Sequence, residues 1–331
     1  MPIDRRSLHL AIGLGISALT LWLALRHVRF SLLFHALWKG HYGWLLPIVL
    51  LMNVMFLGRA FFWKATLSVT KKVGIGHLYS SIVVGYMANN LLPFRGGEMV
   101  RLLYTHRLER ISTAVLFSTI FLERFFDVIW LTLILFLYIL VHGAEGFAPK
   151  AAYLGAVMLG ISFVLLLAVH SRTFLVNLAK KVLSPNRKGW REKAAGGFER
   201  AMLGLSSLES PVVLARLFIV SGIVWGTGLA TGYFYLRIFD LDAQPVLMTV
   251  SFYLFTNLAF LLPSSPGAIG VIQFAAVYAM RQFGVSDERA IALSVVYQLV
   301  PFLFTTLLGW MFIHRQHISL FDRGDLKSEA V

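Results

Sequence analysis

Residues 91–98 read LLPFRGGE and residues 261–268 read LLPSSPGA. Superposed on Pro93 and Pro263, both run Leu-Leu-Pro, three variable residues, then Gly97 or Gly267. Each lies in a strongly apolar stretch that Pro and Gly interrupt. Paired breaks at corresponding places in two halves point to a transporter-like site near the bilayer midplane.

The surrounding composition sets the solvent. Hydrophobic residues make up 58% of the 331 and charged residues 14%, against about 25% charged in soluble domains. Mean hydropathy is +0.74. These values describe a polytopic membrane protein. Apolar stretches cover 7–25, 44–63, 78–92, 112–141, 151–169, 212–236, 245–262, 267–280 and 290–313. A span needs roughly 20 apolar residues, so 78–92 and 267–280 are short. The 112–141 run is too long for one span, and Glu123, Arg124 and Asp127 are expected to divide it into a short helix and a full one. The expected fold is all-α, with about eight transmembrane helices plus re-entrant short helices in an inverted repeat. Its parts are N-terminal helices at 1–72, a first half at 73–170 broken at 93–97, a basic linker at 171–210 and a second half at 211–331 broken at 263–267.

The N-terminal run after Arg5 and Arg6 continues to Arg26-His27 without a small-x-small cleavage site. It reads as a retained signal anchor. The net charge of +14 is unevenly placed. Lys64, Lys71 and Lys72, the 171–210 interval and the tail hold basic clusters, whereas 142–150 and 238–244 hold few. Positive-inside bias puts both termini, 64–77 and 171–210 in the cytoplasm; Arg26, Arg29 and Lys39 violate it mildly. Basic loops suit anionic headgroups and require no nucleic acid. Phe198, Met202, Leu205 and Leu208 recur at helical spacing, as in an interfacial amphipathic helix. Zero Cys excludes disulfides and thiolate metal sites; no metal or cofactor is expected. Asp240 and Asp242 read as solvated acids in an outer loop.

Backbone broken at membrane depth must line a cavity or pack in protein. A helix can start at Gly96-Gly97 with Glu98 in its first turn. Ser264 and Ser265 are N-cap candidates, with Pro266 at the first helical position and Gly267 permitting close approach. Two such N-termini suit a phosphate; packing kinks are the competing explanation. Arg59, Arg95, Glu98, Arg101, Glu123, Arg124 and Asp127 lie in or beside apolar segments, where ionisable groups are costly unless paired. Arg95 and Arg101 could instead snorkel at an interface. Glu98 and Arg101 are one turn apart, and Glu123 and Asp127 share a face beside Arg124.

The segments NNLLPFRGGEMVR (89–101), FLERFFD (121–127) and LLPSSPGAIGVIQ (261–273), with Val285-Ser286 following, resemble the transmembrane region of lysyl-phosphatidylglycerol synthetases, a family of flippase-like proteins. The resemblance covers about 8–315 and adds Asn90, Gly270, Gln273 and Gln298 to the expected site. Family patterns often place an acid at Gln273 and a His at Gln298, so no proton-coupled role carries over. The family's soluble synthetase domain is absent, which implies no enzymatic activity. The resemblance implies translocation of a lipid with an anionic phosphate-containing headgroup, or a polyprenyl- or hopanoid-type lipid, across a bacterial inner membrane. A non-transporting accessory subunit of envelope biosynthesis and an intramembrane headgroup transferase compete with it. Expected partners are membrane lipids and envelope-biosynthesis enzymes.

Overall fold

The computed structural model describes residues 5–26, 28–68, 70–92, 96–142, 160, 190–205, 208, 210–260 and 265–316, with their side chains described from Gly15 onward except at 142, 190–195, 198 and 266. The described residues form helices and short turns, with no strand among them. In chain order the helices are α1 (Arg5–Leu25), α2 (Phe30–Trp38), α3 (Leu45–Leu67), α4 (Ile75–Leu91), α5 (Gly97–Glu109), α6 (Thr113–His142), α7 (Trp190–Gly204), α8 (Pro211–Ile238), α9 (Pro245–Ala259), α10 (Val271–Arg281) and α11 (Asp287–Gln316).

Helices α3 to α6 and α8 to α11 repeat one pattern: long, short, short, long. Their lengths are 23, 17, 13 and 30 residues in the first set. They are 28, 15, 11 and 30 in the second. At 1.5 Å per residue the four short helices reach about 16–26 Å, less than a hydrocarbon core of about 30 Å. Each short pair therefore folds as a hairpin around its break, and α4 packs on α5 as α9 packs on α10. The long helices are exchanged between halves. α11 packs along α4 and α6 along α9, while α3 and α8 pair at the centre. Asn90 Nδ2 donates to Thr305 Oγ1 at 2.9 Å, tying the first hairpin to α11. Tyr138 OH donates to Gln282 Oε1 at 3.0 Å, tying the second to α6.

Four helices among the described residues are long and apolar enough to span, with α1 and α2 a fifth candidate bent by 87°. About eight were expected. The 245–262 run ends as the 15-residue α9 at its break, and the expected helix at 151–169 lies outside the described residues, apart from Gly160. The expected division of the 112–141 run does not occur. α6 is continuous, because 113–142 contains no Gly or Pro and its charged side chains find partners in the bundle.

Without water to drive them together, these helices associate through close backbone approach. A Cβ on Gly58 would lie 2.7 Å from Val224 Cγ2, at the contact of α3 with α8. One on Gly309 would lie 2.8 Å from Met87 Cβ, at the contact of α11 with α4. The outward faces carry large exposed apolar side chains, including Leu46, Phe61, Phe136, Ile219, Leu307 and Trp310, as lipid contact requires. The linker helix α7 docks on protein: Met202 and Leu205 pack with Phe62, Leu122, Phe126 and Leu217. Of its expected apolar stripe, the Phe198 side chain lies outside the described residues.

Candidate functional site

Glu123 lies about 15 Å along α6 from its start and Arg59 about 12 Å from the end of α3, at 1.5 Å per residue. Both are therefore near mid-depth in the core. Their side chains and those of four other residues form one network. Glu123 Oε1 accepts from Arg59 Nη1 and from Arg124 Nη2, each at 2.7 Å. Glu123 Oε2 accepts from Arg101 Nη2 at 2.7 Å. Asp127 takes Arg59 Nη1 at 3.2 Å and Arg124 Nη1 at 3.0 Å. Glu98 stands at ion-pair range, 3.8 Å from Arg101 Nη1 and 3.7 Å from Arg124 Nη2. Three guanidinium groups thus face three carboxylates, which is how ionisable groups persist at this depth.

Two tryptophans hold the network, and sequence reasoning missed both. The Arg101 guanidinium lies 3.8 Å from the Trp63 ring centroid, a cation–π contact strengthened by desolvation. Trp63 Nε1 donates to Thr119 Oγ1 at 2.8 Å, and Trp225 Nε1 donates to Asp127 Oδ1 at 2.9 Å. Both tryptophans sit in apolar runs, and their sequence positions carry no sign of these contacts.

Burial grades the network. The side chains of Arg101 and Glu123 are 2% and 4% exposed, while those of Arg124 and Glu98 are 40% and 38% exposed. Arg124 and Glu98 therefore form its open end, beside the first break. The α5 N-terminus is where the spacing places it, with Gly96 as N-cap and Glu98 in the first turn. Its leading amide is occupied, since Gly97 N donates to Asn89 Oδ1 at 2.8 Å. Gly97 packs against α4, and a Cβ there would lie 2.1 Å from the Gly85 carbonyl oxygen. That contact accounts for the glycine without a ligand. Arg95 lies outside the described residues.

The second break has different chemistry. Ser265 precedes a short turn at Pro266–Ala268, and α10 begins only at Val271 with Gly270 as its N-cap. Ser265 is the N-cap of that turn, a single 3₁₀ turn with Pro266 at its first position as the spacing predicts, and the α-helix proper starts later. Ser264 lies outside the described residues. Gly267 has φ +69 and open space around it, while Gly270 has φ +91 and its missing Cβ would lie 2.3 Å from the Ser17 carbonyl oxygen. α1 therefore covers this break, and Ser265 N also donates to Ser17 Oγ at 2.8 Å. Gln273 Oε1 accepts from Gly270 N at 2.7 Å, Gln273 Nε2 donates to Gln298 Oε1 at 2.8 Å, and Gln298 Nε2 donates to the Gly267 carbonyl. The interval from Gln273 to Gln298 repeats that from Glu98 to Glu123. An amide chain in one half stands where the other half has its ion pairs.

Further acids pair away from these sites. Asp240 meets His41 at 3.2 Å and Asp242 meets Arg237 at 2.8 Å. Glu109, at the end of α5, takes Lys71 at 2.9 Å and the His77 ring nitrogen. Burial pushes the Glu109 carboxyl upward, but hydrogen bonds from His77 and Lys71 and the Lys71 charge outweigh it and hold the group below its usual value.

Matched broken hairpins and a midplane charge network coincide with a family assignment. Residues 10–309 match the family described as the lysylphosphatidylglycerol synthase TM region. The chain belongs to this family. It is similar to the UPF0104 membrane protein MJ1078 of Methanocaldococcus jannaschii, 25% identical over 223 residues, covering 67% of this chain and 90% of that one. It is also similar to a UPF0104 membrane protein of Methanothermobacter thermautotrophicus, 24% identical over 284 residues, covering 80% and 84% respectively. No solved structure matches the chain.

Proposed function

We propose that this protein moves a lipid with a phosphate-bearing headgroup between leaflets of a bacterial inner membrane, without changing it chemically. The single observation behind this is the open end of the network. Arg124 and Glu98 are half-exposed at the first break, while their partners behind them are buried and fixed. A guanidinium presents paired N–H groups to a phosphate, and the buried carboxylates orient it. The repeated hairpin in the other half supports alternating access around a central site. The family's description, which names a lipid-modifying synthase, supports a lipid substrate; a polyprenyl- or hopanoid-type lipid is the alternative cargo. Membrane lipids and envelope-biosynthesis enzymes are the proposed partners.

The equal numbers of guanidinium and carboxylate groups among the described residues of the network favour a second reading, a membrane accessory subunit whose network is purely structural. Purified protein in proteoliposomes distinguishes the two. Acyl-chain-labelled phospholipid should change leaflet faster than in protein-free vesicles, and more slowly with Arg124→Gln. An unchanged rate in wild-type vesicles would favour the accessory subunit.

A further inference from the structure

We infer that α2 is an interfacial helix, lying in the plane of one membrane face, that gathers anionic phospholipids beside the bundle. Its position carries the first part. Before it, Arg29 N donates to Glu288 Oε1 at 3.2 Å, in the first turn of α11. After it, His41 N donates at 2.8 Å to the carbonyl of Ile238, the last residue of α8. The hairpin of α9 and α10 starts from and returns to one face, so the end of α8 and the start of α11 share that face. α2 therefore bridges two points at one depth, bent by 87° from α1. α1 alone, with 21 residues, reaches about 31 Å and needs no second half to span.

The side chains of α2 sort into stripes, since residues four apart share a helix face. Leu33 is buried and Leu37 packs on the same core, so this stripe meets protein. Phe30, Phe34 and Trp38 form the next stripe and are 57%, 67% and 90% exposed. Ser31, His35 and Lys39 form a third and are exposed as well. Leu32, also exposed, sits between that polar stripe and the protein. In water the aromatic stripe would be unsolvated, and across lipid His35 and Lys39 would lie in hydrocarbon. A helix in the interface satisfies both stripes, with its aromatic edge in the acyl layer and its polar edge among headgroups. Arg26, Arg29 and Lys39, the cations that run against positive-inside bias, are exposed and pair with no acid among the described residues. Three acids at this face already have partners, Asp240 in His41, Asp242 in Arg237 and Asp287 in Arg281. Anionic lipid headgroups are the complementary charge at this depth.

The test uses full-length protein in vesicles of phosphatidylcholine with phosphatidylglycerol, carrying one spin-labelled cysteine at a time. Oxygen concentrates in the acyl layer, whereas a nickel chelate stays in water. Phe34→Cys should be relaxed mainly by oxygen and His35→Cys mainly by nickel. A fluorophore at Trp38→Cys should be quenched by brominated phosphatidylglycerol at about one-fifth the mole fraction needed with brominated phosphatidylcholine, the gain from one surface cation. Adding Arg29→Gln and Lys39→Gln should bring the two lipids to equal quenching, with melting temperature confirming the fold. Nickel access at both Phe34→Cys and His35→Cys would put α2 in water. Oxygen access at both would make it part of a span, and shielding of Phe34→Cys from both reagents would mean a protein covers it. Each of these overturns the inference, as does equal quenching by the two lipids when Arg29 and Lys39 are present. None of the readouts requires lipid movement between leaflets, so the proposed function stands or falls separately.

Discussion

Arg101 donates to Glu123 across 2.7 Å from side chains 2% and 4% exposed. The pair joins the first hairpin to the long helix α6. Its geometry makes burial, rather than charge alone, the property that ranks residues of the network.

Removing one member of a buried pair strands the other, at a cost of about 3–5 kcal/mol. Arg101→Ala and Glu123→Ala should each reach that range in denaturant unfolding in detergent. Arg124→Ala should cost less than either, since Glu123 keeps Arg59 and Arg101 and Asp127 keeps Arg59 as partners. Equal losses for Arg101→Ala and Arg124→Ala would contradict this grading.

The glycines at the two breaks should fail for different reasons. Gly97→Ala forces a methyl onto the Gly85 backbone and should cost about 1–3 kcal/mol by overpacking. Gly267 faces open space at φ +69, so Gly267→Ala should cost about 1 kcal/mol of backbone strain. Asn tolerates that conformation, so Gly267→Asn should melt closer to wild type than Gly267→Ala. At Gly97, Asn should melt no higher than Ala.

In the second half, Gln298→Leu removes both the acceptor for Gln273 and the donor to the Gly267 carbonyl. Leaving buried polar groups unmatched should cost about 1–3 kcal/mol. Hydrogen exchange should show faster opening at 265–273 and little change at 97–105. Uniform protection across both segments would contradict a local role.

Acid should weaken the Glu109 end of the first hairpin. Glu109 is held below its usual value of 4.5, so its stabilisation is complete above that value and disappears as pH falls through the lowered one. The melting difference between wild type and Glu109→Gln should therefore be largest near pH 7 and shrink below about pH 4.5. A difference that grows on acidification would show the opposite sign of coupling.

Much of the fold was legible in the sequence because Pro and Gly breaks have fixed consequences in a membrane. LLPFRGGE at 91–98 and LLPSSPGA at 261–268 mark the tips of the two hairpins, and Ser112 and Ser286 immediately precede α6 and α11. The pairing of Glu98 with Arg101, and Asp127 on the face of Glu123, followed from helical spacing. The α6 run was misread because charges were treated as breaks. Their partners come from elements such as Arg59 on α3, a non-local contact that periodicity does not reveal. The late start of α10 was hidden for a similar reason, since Ser17 of α1 occupies the Ser265 amide. Trp63 and Trp225 were invisible because an aromatic in an apolar run looks the same whether it faces lipid or an arginine.

Opposite entry of the two hairpins is the central claim, and cysteine accessibility tests it most directly. The chain contains no Cys, so single substitutions at Lys72, Arg110, Asp242 and Ser286 report one site each. An impermeant thiol reagent applied to intact cells should label Asp242→Cys and Ser286→Cys only. Applied to inverted membrane vesicles, it should label Lys72→Cys and Arg110→Cys only. Labelling of Lys72→Cys and Asp242→Cys from the same face would contradict the inverted repeat.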